Sequence, residues 1–545
     1  MIDNQIFLSL LRNRGLTNKA DIEAFLTPSF EKFKHDPYLL PDMKPAVERI
    51  ALAQKRHENV VIYGDYDIDG LTATSILLDA FKSFGLRVSA FIPNRFVEGY
   101  GLNLEAIEKL ASEGAQLIVT VDCGSLSHKE VERANELGVD VIVTDHHSVG
   151  ETMPPAIATI NPKRTDHTYP FIDLAGCGVA FKLVQALQGR LPGLPQGQEK
   201  WLLDLVALGT VCDVVSLKDE NRANVYWGLK VLANTRRPGL KALMAVAGVE
   251  PERINARTLG FVLGPRMNAA GRLETAQYSL DMLTSTDNMQ ALGLAQKLEE
   301  MNLARRAEQD RIFRAACQQA EQYAQHPVLV LSDPSWSHGI VGIVAAKILE
   351  RYKKPTFVLQ EMGEQTKGSA RSFGDYSAVK AIRASDEHIL KGGGHTLAAG
   401  VTMETTKVDD FRRSVNNFYS ESISSSQLHH LDPPTDAEIE ALSHANEELV
   451  EALELLQPYG HGNGEPVFCC RNVTVINVQR MGNDKQHLKI RFSDKQGQQL
   501  SAIMFNCHEE DPEVGQQVDV WIELGINEWR GSRSVEGRLR KLTAA

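Results

Sequence analysis

Cysteine is scarce in this chain: seven residues (Cys123, Cys177, Cys212, Cys317, Cys469, Cys470 and Cys507) among 545, with no Cys-x-x-Cys spacing. An odd set without that spacing argues against a disulfide frame or a zinc ribbon and for a reducing compartment. No apolar run reaches the length of a membrane span. The first residues, Met1 to Arg14, lack the layout of a signal peptide. The expectation is a cytoplasmic protein with no membrane attachment. Positive charge is also short, with 58 Lys and Arg against 70 Asp and Glu and a net charge of −12. Nucleic-acid binders usually carry a basic face. A protein that gathers carboxylates around cations can still be acidic in total and basic locally, so the charge excludes little. The 43% hydrophobic and 23% charged content is that of an ordinary globular chain, long enough for roughly three or four domains.

What the sequence does have is acid at the ends of apolar runs. Val60-Val61-Ile62-Tyr63 favours a buried strand and passes directly into Gly64-Asp65-Tyr66-Asp67-Ile68-Asp69-Gly70. Carboxylates at alternate positions, with no Lys or Arg among them, repel one another unless solvent screens them or cations hold them. A solvated acidic turn is the plain alternative. The pattern returns where Leu117–Val121 meets Asp122, and where Val141–Thr144 meets Asp145-His146-His147. It returns again where Trp201–Val211, whose class the pattern does not fix, meets Cys212-Asp213.

Between these runs lie helical patterns at Ala46–Arg56, Leu71–Phe84, Leu104–Ser112 and His128–Leu137, with a further strand at Val88–Ile92. Strands alternating with helices imply an α/β domain with a parallel sheet covered on both faces. Ligands of such sheets sit beyond the carboxyl ends of the strands, the edge on which the acids fall. Any one of them could be a helix N-cap. Four clusters on one edge, with vicinal histidines, point to a metal site.

Farther along, Gly260–Arg272 is rich in small residues and carries Arg266, Asn268 and Arg272. The arginines suit phosphate, although a helix contact with surface arginines explains the segment equally. Residues 287 to 325 form a long polar helical pattern, about 55 Å if continuous. A second lobe opens at Val328–Leu331, with another strand at Pro355–Leu359. It holds Trp336–Ile343 with His338, then Gly368-Ser369-Ala370-Arg371-Ser372, and Gly392-Gly393-Gly394-His395. Glycine-rich turns with exposed amides can nest anions. Ser420–Asp436 has linker composition, and a short helix is expected over Asp436–Leu456. Short alternating strands follow at Val473–Val478, His487–Phe492, Leu500–Phe505, Val518–Leu524 and Ser534–Leu539, fitting an OB-type barrel. Arg530, Arg533, Arg538, Arg540 and Lys541 lie near Trp521 and Trp529, a mixture that suits single-stranded nucleic acid. A plain barrel core with a solvated tail is the alternative.

The ordered set Gly64–Gly70, Val121-Asp122-Cys-Gly124, Thr144-Asp-His-His147, Ala207–Asp213, Gly264–Arg272 and Pro458–Val467 resembles the RecJ family of the DHH phosphoesterase superfamily, bacterial single-strand-specific exonucleases, over nearly the whole chain. The resemblance implies a helical lead-in over 1–45, a DHH catalytic domain over 46–285 and a connecting helix over 286–326. It further implies a DHH-associated substrate-binding domain over 327–420, a linker and short helix over 421–457, and an OB-fold nucleic-acid-binding domain over 458–545. It implies two divalent cations, Mn²⁺ or Mg²⁺: one held by Asp67 and Asp122 with Asp65 close by, the other by Asp69, Asp122, His146 and Asp213. His147 would stand beside the metals or face the substrate. Ser369, Arg371 and Arg266 would grip the 5′ end, with Asn268, Arg272, Gly393 and Gly394 also touching substrate, and His338 and His395 near the reacting phosphate. The implied activity is 5′→3′ hydrolysis of single-stranded DNA to 5′ mononucleotides in repair and recombination. The protein would be a monomer, with a single-strand-binding protein and a helicase as candidate partners.

There are departures from the family pattern. Tyr63 stands where many DHH enzymes have a metal-binding histidine, which implies a weaker hold on the first ion. Ile68 replaces a common alanine and Gly464 a usual proline, while Cys123 and Cys212 beside the ligands are read as small apolar packing. A DHH phosphodiesterase acting on very short oligonucleotides or cyclic dinucleotides, and a scaffold that has lost its metals, are the alternatives.

Overall fold

The computed structural model describes residues 4–422, 433–507, 510–529 and 531–545. Arg530, the side chain of Trp529 and most of the expected Ser420–Asp436 linker lie outside the described residues. The chain divides into two compact units: Leu16–Asn302 with Leu455–Glu465, and Met1–Gly15 with Leu303–Glu454 and Pro466–Ala545. The helix Asn288–Gln322, 35 residues long and so about 52 Å, supplies residues to both.

The Leu16–Asn302 unit is built on a parallel sheet of β1 (Asn59–Tyr63), β2 (Arg87–Phe91), β3 (Leu117–Val121), β4 (Asp140–Thr144) and β5 (Ala158–Ile160), in the order β2-β1-β3-β4-β5. The β-branched runs allow both faces to be buried. Val60, Ile62, Val119 and Val121 pack into one core with the helices Met43–Arg56, Ile68–Ser83 and Gly176–Gln188. Val61, Tyr63 and Ile118 turn into a second core with Ile107, Leu110, Val131 and Ala134. Strand and helix positions in this unit agree with the pattern to within three residues, with informative exceptions. The helix expected from Leu71 begins at Ile68, because Asp67 caps it by accepting from the Gly70 amide at 3.1 Å. The undetermined Trp201–Val211 stretch is helical, Leu203–Cys212, apolar all round and so without a readable period. The pattern gave no sign of β5 or of Gly176–Gln188.

In the unit containing Leu303–Glu454, β6 (Leu329–Asp333), β7 (Thr356–Met362), β8 (Gln365–Arg371), β9 (Lys391–Gly394) and β10 (Ala398–Glu404) form a sheet ordered β6-β7-β8-β10-β9. It is parallel only between β6 and β7. The C-terminal strands β11 (Ala437–Glu438), β12 (Phe468–Met481), β13 (His487–Ser493), β14 (Gln499–Met504), β15 (Gln517–Trp529) and β16 (Ser532–Ala544) close on themselves through a β12–β15 pairing, the OB-type barrel. The expected helix over Asp436–Leu456 is confined to Glu447–Glu454. Ala437 and Glu438 instead pair with Phe468 and Cys469, and Asp436 accepts from the Val467 amide at 2.9 Å. Asn446 then caps the helix through the Leu449 amide.

One buried charge pair ties the lead-in segment at His35 to the helices Gly176–Gln188 and Asp219–Ala233. Lys182, 0% exposed, donates to Glu220 at 2.7 Å and to the His35 carbonyl at 2.6 Å, and Tyr169 donates to the other Glu220 oxygen. Removing one partner strands a buried charge. Lys182→Met is expected to lower unfolding free energy by roughly 3–5 kcal/mol, and Lys182→Met combined with Glu220→Leu by less than that single change. Urea unfolding of both variants measures the difference.

Candidate metal centre

Each candidate ligand is placed by the end of an element. Asp65 and Asp67 leave β1, Asp69 lies in the first turn of Ile68–Ser83, Asp122 ends β3, His146 and His147 follow β4, and Asp213 ends Leu203–Cys212. Asp69 also accepts from the Gly176 and Cys177 amides, at 2.6 and 2.9 Å, at the start of Gly176–Gln188. That helix terminus offsets part of its charge. Gly176 has to be glycine here, because a Cβ would lie 2.7 Å from the Asp122 Cβ.

These side chains converge. His146 Nε2 lies 3.1 Å from Asp122 Oδ1, 3.6 Å from Asp213 Oδ2 and 3.7 Å from Asp69 Oδ2. Three sets have ligand atoms within 4.8 Å of one another: Asp65 with Asp67 and Asp122; Asp69 with His146 and Asp213; and Asp122 with His146 and His147. Asp122 is common to two of them. Asp65 Oδ1, Asp122 Oδ1 and both ring nitrogens of His146 are buried and have no hydrogen-bond partner among the described residues. Unpaired buried acceptors beside like charges are costly. Oxygen and imidazole donors in this arrangement fit hard divalent cations.

The electrostatics agree. Burial, then Asp67, pushes Asp65 up to about 8. Burial, then Asp69 and Asp67, pushes Asp213 up to about 9. Asp67 and Asp122 are raised by burial and then by their carboxylate neighbours. Burial lowers His146, favouring the neutral imidazole that a cation needs.

Asp145 behaves differently. It accepts from the amides of His146, His147 and Ser125 at 2.7, 3.0 and 3.0 Å and from His147 Nδ1 at 2.9 Å. Burial opposes its ionisation, yet these bonds hold it well below the usual carboxylate range. It is an orienting group, and in return it raises His147 against the cost of burial. Two positioning residues gave no sequence signal. Tyr100 places its hydroxyl 3.1 Å from His147 Nδ1, and Asn161 donates to the His147 carbonyl at 2.9 Å and to Ser125 Oγ at 2.8 Å.

The departures at Tyr63 and the cysteines have structural accounts. The Tyr63 hydroxyl donates to the Gly101 carbonyl and accepts from Asn103, both at 3.1 Å, so it holds the following loop. Cys123 and Cys212 are pushed up chiefly by burial and stay thiols, as packing groups do.

The expected phosphate contacts divide. Arg266 is paired with Glu299 at 2.5 Å and donates to the Val262 carbonyl at 2.7 Å, so part of its guanidinium is engaged within the chain. Asn268 and Arg272 are half-buried along the same helix. In the other unit, Arg371 is half-buried, burial lowers its pKa, and no carboxylate among the described residues pairs with it. A Cβ on Gly342 would lie 3.3 Å from both the Arg371 guanidinium and Ser369 Oγ, so the start of His338–Tyr352 closes on this pair. Gly393 stands beside Gly400, which stands beside Ser369, so the glycine turn continues the same surface. His395 is exposed beyond it, and His338 is held by Gln360 through its amide at 2.8 Å.

Comparison with known proteins places the chain. The model of the DHH family, N-terminal domain, matches residues 59–210, that of the DHHA1 domain 325–421, and that of the RecJ OB domain 435–541. The single-stranded-DNA-specific exonuclease RecJ of Dickeya dadantii is 37% identical over 97% of this chain and 94% of its own length. That of Bacillus subtilis is 36% identical over 96% of this chain, which spans 66% of that relative. The crystal structure of RecJ in complex with Mn²⁺ from Thermus thermophilus superposes with a TM-score of 0.85 at 30% identity, covering 99% of this chain and 76% of that one. With three domains matched in order and identity above 30% along nearly all of it, the chain belongs to the RecJ family.

Proposed function

We propose that this chain is a metal-dependent exonuclease that degrades single-stranded DNA from its 5′ end and releases 5′ mononucleotides. The observation that carries the proposal is the cluster of buried Asp65, Asp122 and His146 atoms that have no hydrogen-bond partner among the described residues and lie among further carboxylates, in a family whose Thermus thermophilus member was crystallised with Mn²⁺. Asp67 and Asp122, with Asp65 close by, would hold one cation, and Asp69, Asp122, His146 and Asp213 the other. Two Mn²⁺ or Mg²⁺ ions held there would supply a nucleophile at neutral pH and would stabilise charge on the entering and leaving oxygens.

The chain's own groups do the rest. Asp145 fixes His147 by accepting from Nδ1, which leaves Nε2 to give a proton or hydrogen bond to the departing 3′ oxygen. Ser369 and Arg371, which has no carboxylate partner among the described residues, would take the terminal phosphate and so set polarity, with Gly393, Gly394 and His395 lining the same surface. The six-part domain division, a monomeric cytoplasmic enzyme in repair and recombination, and a single-strand-binding protein and a helicase as partners, complete the proposal.

Digestion of end-labelled single- and double-stranded DNA with Mn²⁺ or Mg²⁺ tests it. Mononucleotide release from the 5′ end of the single strand is expected. Equal attack on duplex, or activity confined to dinucleotides, overturns it. Asp122→Ala, correctly folded, is expected to lose at least about 10²-fold in kcat. Arg371→Ala is expected to raise KM for 5′-phosphorylated strands by about 10-fold or more, the value of a charged hydrogen bond, and to narrow the preference over 5′-hydroxyl strands.

Stability should also depend on pH through the site. Asp65 and Asp213 have folded pKa values near 8 and 9, above those of the unfolded chain, so their contribution is full below about pH 4 and is lost as pH rises. In chelator, Tm is expected to fall between pH 6 and pH 9. Mg²⁺ should flatten that fall, and calorimetric titration at pH 7 should show proton release on binding.

A further inference from the structure

Asp213 is followed by Val214, a β-branched residue 65% exposed, whose φ of 61° lies in the left-handed region. That conformation is costly for valine and persists only where the surroundings impose it. What bears on the corner is a short piece of chain from far along the sequence. The Leu455–Glu465 turn belongs to this compact unit, although the residues before and after it belong to the other. His461 accepts from the Leu217 amide at 2.8 Å. Arg222, 3% exposed, donates to the Gln457 carbonyl at 2.8 Å and to the Phe25 carbonyl at 3.0 Å, with its guanidinium 3.8 Å over the Phe25 ring. Asn463 closes the turn on itself by donating to the Leu456 and Pro458 carbonyls at 2.8 and 2.9 Å. At Gly460 and Gly462, added Cβ atoms would lie 2.6 Å from Leu217 and from Ser216 Oγ respectively, so the turn lies directly on residues 216–217.

We propose that the Leu455–Glu465 turn is a strap that positions Asp213, with Arg222 and Gly462 as its positioning residues. The backbone between Asp213 and Leu217 has its far end pinned by the strap and by Asn221, which donates to the Ser216 carbonyl at 3.0 Å. A released strap lets the Val214 corner relax, and the carboxylate moves off the set it forms with Asp69 and His146. The strap thus makes metal affinity depend on a segment that carries no ligand. It rests on Asp213 being a ligand.

Calorimetric titration of the full chain with Mn²⁺, free of DNA, tests the strap. Gly462→Ala, at a φ of 75°, and Arg222→Met are expected to raise the Mn²⁺ Kd on the order of 10-fold, as loss of supporting groups around a metal site does. Trp227→Phe removes the bond from the same helix to the Pro28 carbonyl, 2.8 Å. It should lower Tm in chelator and leave Kd unchanged. Should Arg222→Met not fold, Gly462→Ala carries the readout. Unchanged Kd in the strap variants, while Asp213→Asn weakens binding, overturns the strap alone. Wild-type binding by Asp213→Asn overturns the ligand assignment and the strap with it.

Discussion

Carboxylates that repel one another are held around one imidazole in a largely buried site. Asp65, Asp69, Asp122 and His146 are all buried, with Asp213 at the rim. Like charges at these separations, in a medium of low effective dielectric, repel by several kcal/mol per pair. The fold therefore has to supply rigidity elsewhere to keep them in place, and the parallel sheet does so. β1, β3 and β4 are fully ladder-bonded neighbours in register, so their carboxyl ends cannot drift apart without breaking central strands. Helix starts supply partial compensation: Asp67 and Asp69 take amides from the beginnings of two helices. The helix-start acceptor and the candidate ligand are thus the same carboxylates seen from two sides. A helix start orients the group and lowers the cost of its charge, but it does not saturate the oxygens.

Much of this was legible in the amino-acid order because parallel strands are written as continuous β-branched runs and end in what they carry. Asp65, Asp122 and His146 could be put on one edge from sequence for that reason. Two kinds of information were not local. The role of Asp145 depends on which amides fold back onto it, and the sequence shows only an acid beside two histidines. The helix Gly176–Gln188 is almost wholly buried, including Lys182, and a helix buried all round has no polar face to mark its period. The Leu203–Cys212 helix before Asp213 was unreadable for the same cause.

The anion-binding groups show the converse problem. Arg266 and Arg371 stand alike in sequence, each in a small-residue segment. Arg266 meets Glu299, 33 residues on, whereas Arg371 sits on an inner strand whose neighbours at that level are alanine and threonine. A guanidinium with a carboxylate partner has part of its charge offset before any phosphate arrives. One that has given up solvent without such a partner retains its attraction for phosphate. Sequence supplies the cation, but only the fold decides whether it is spent.

The two loops that bring acids back to the site both pass through the left-handed region, Asp122 at φ 60° and Val214 at φ 61°. They reach it on different terms. Aspartate tolerates that conformation through its own short polar side chain, and Asp122 is further confined between β3 and the Gly176 helix start. Valine has no such compensation, and Val214 is mostly in solvent. The β3 corner is therefore self-sufficient, whereas the corner at the end of Leu203–Cys212 needs support from outside. A corner of that second kind is where remote parts of a chain gain leverage over a metal site. The strain is small enough, at about 1–3 kcal/mol, for a handful of hydrogen bonds to decide which way the carboxylate faces.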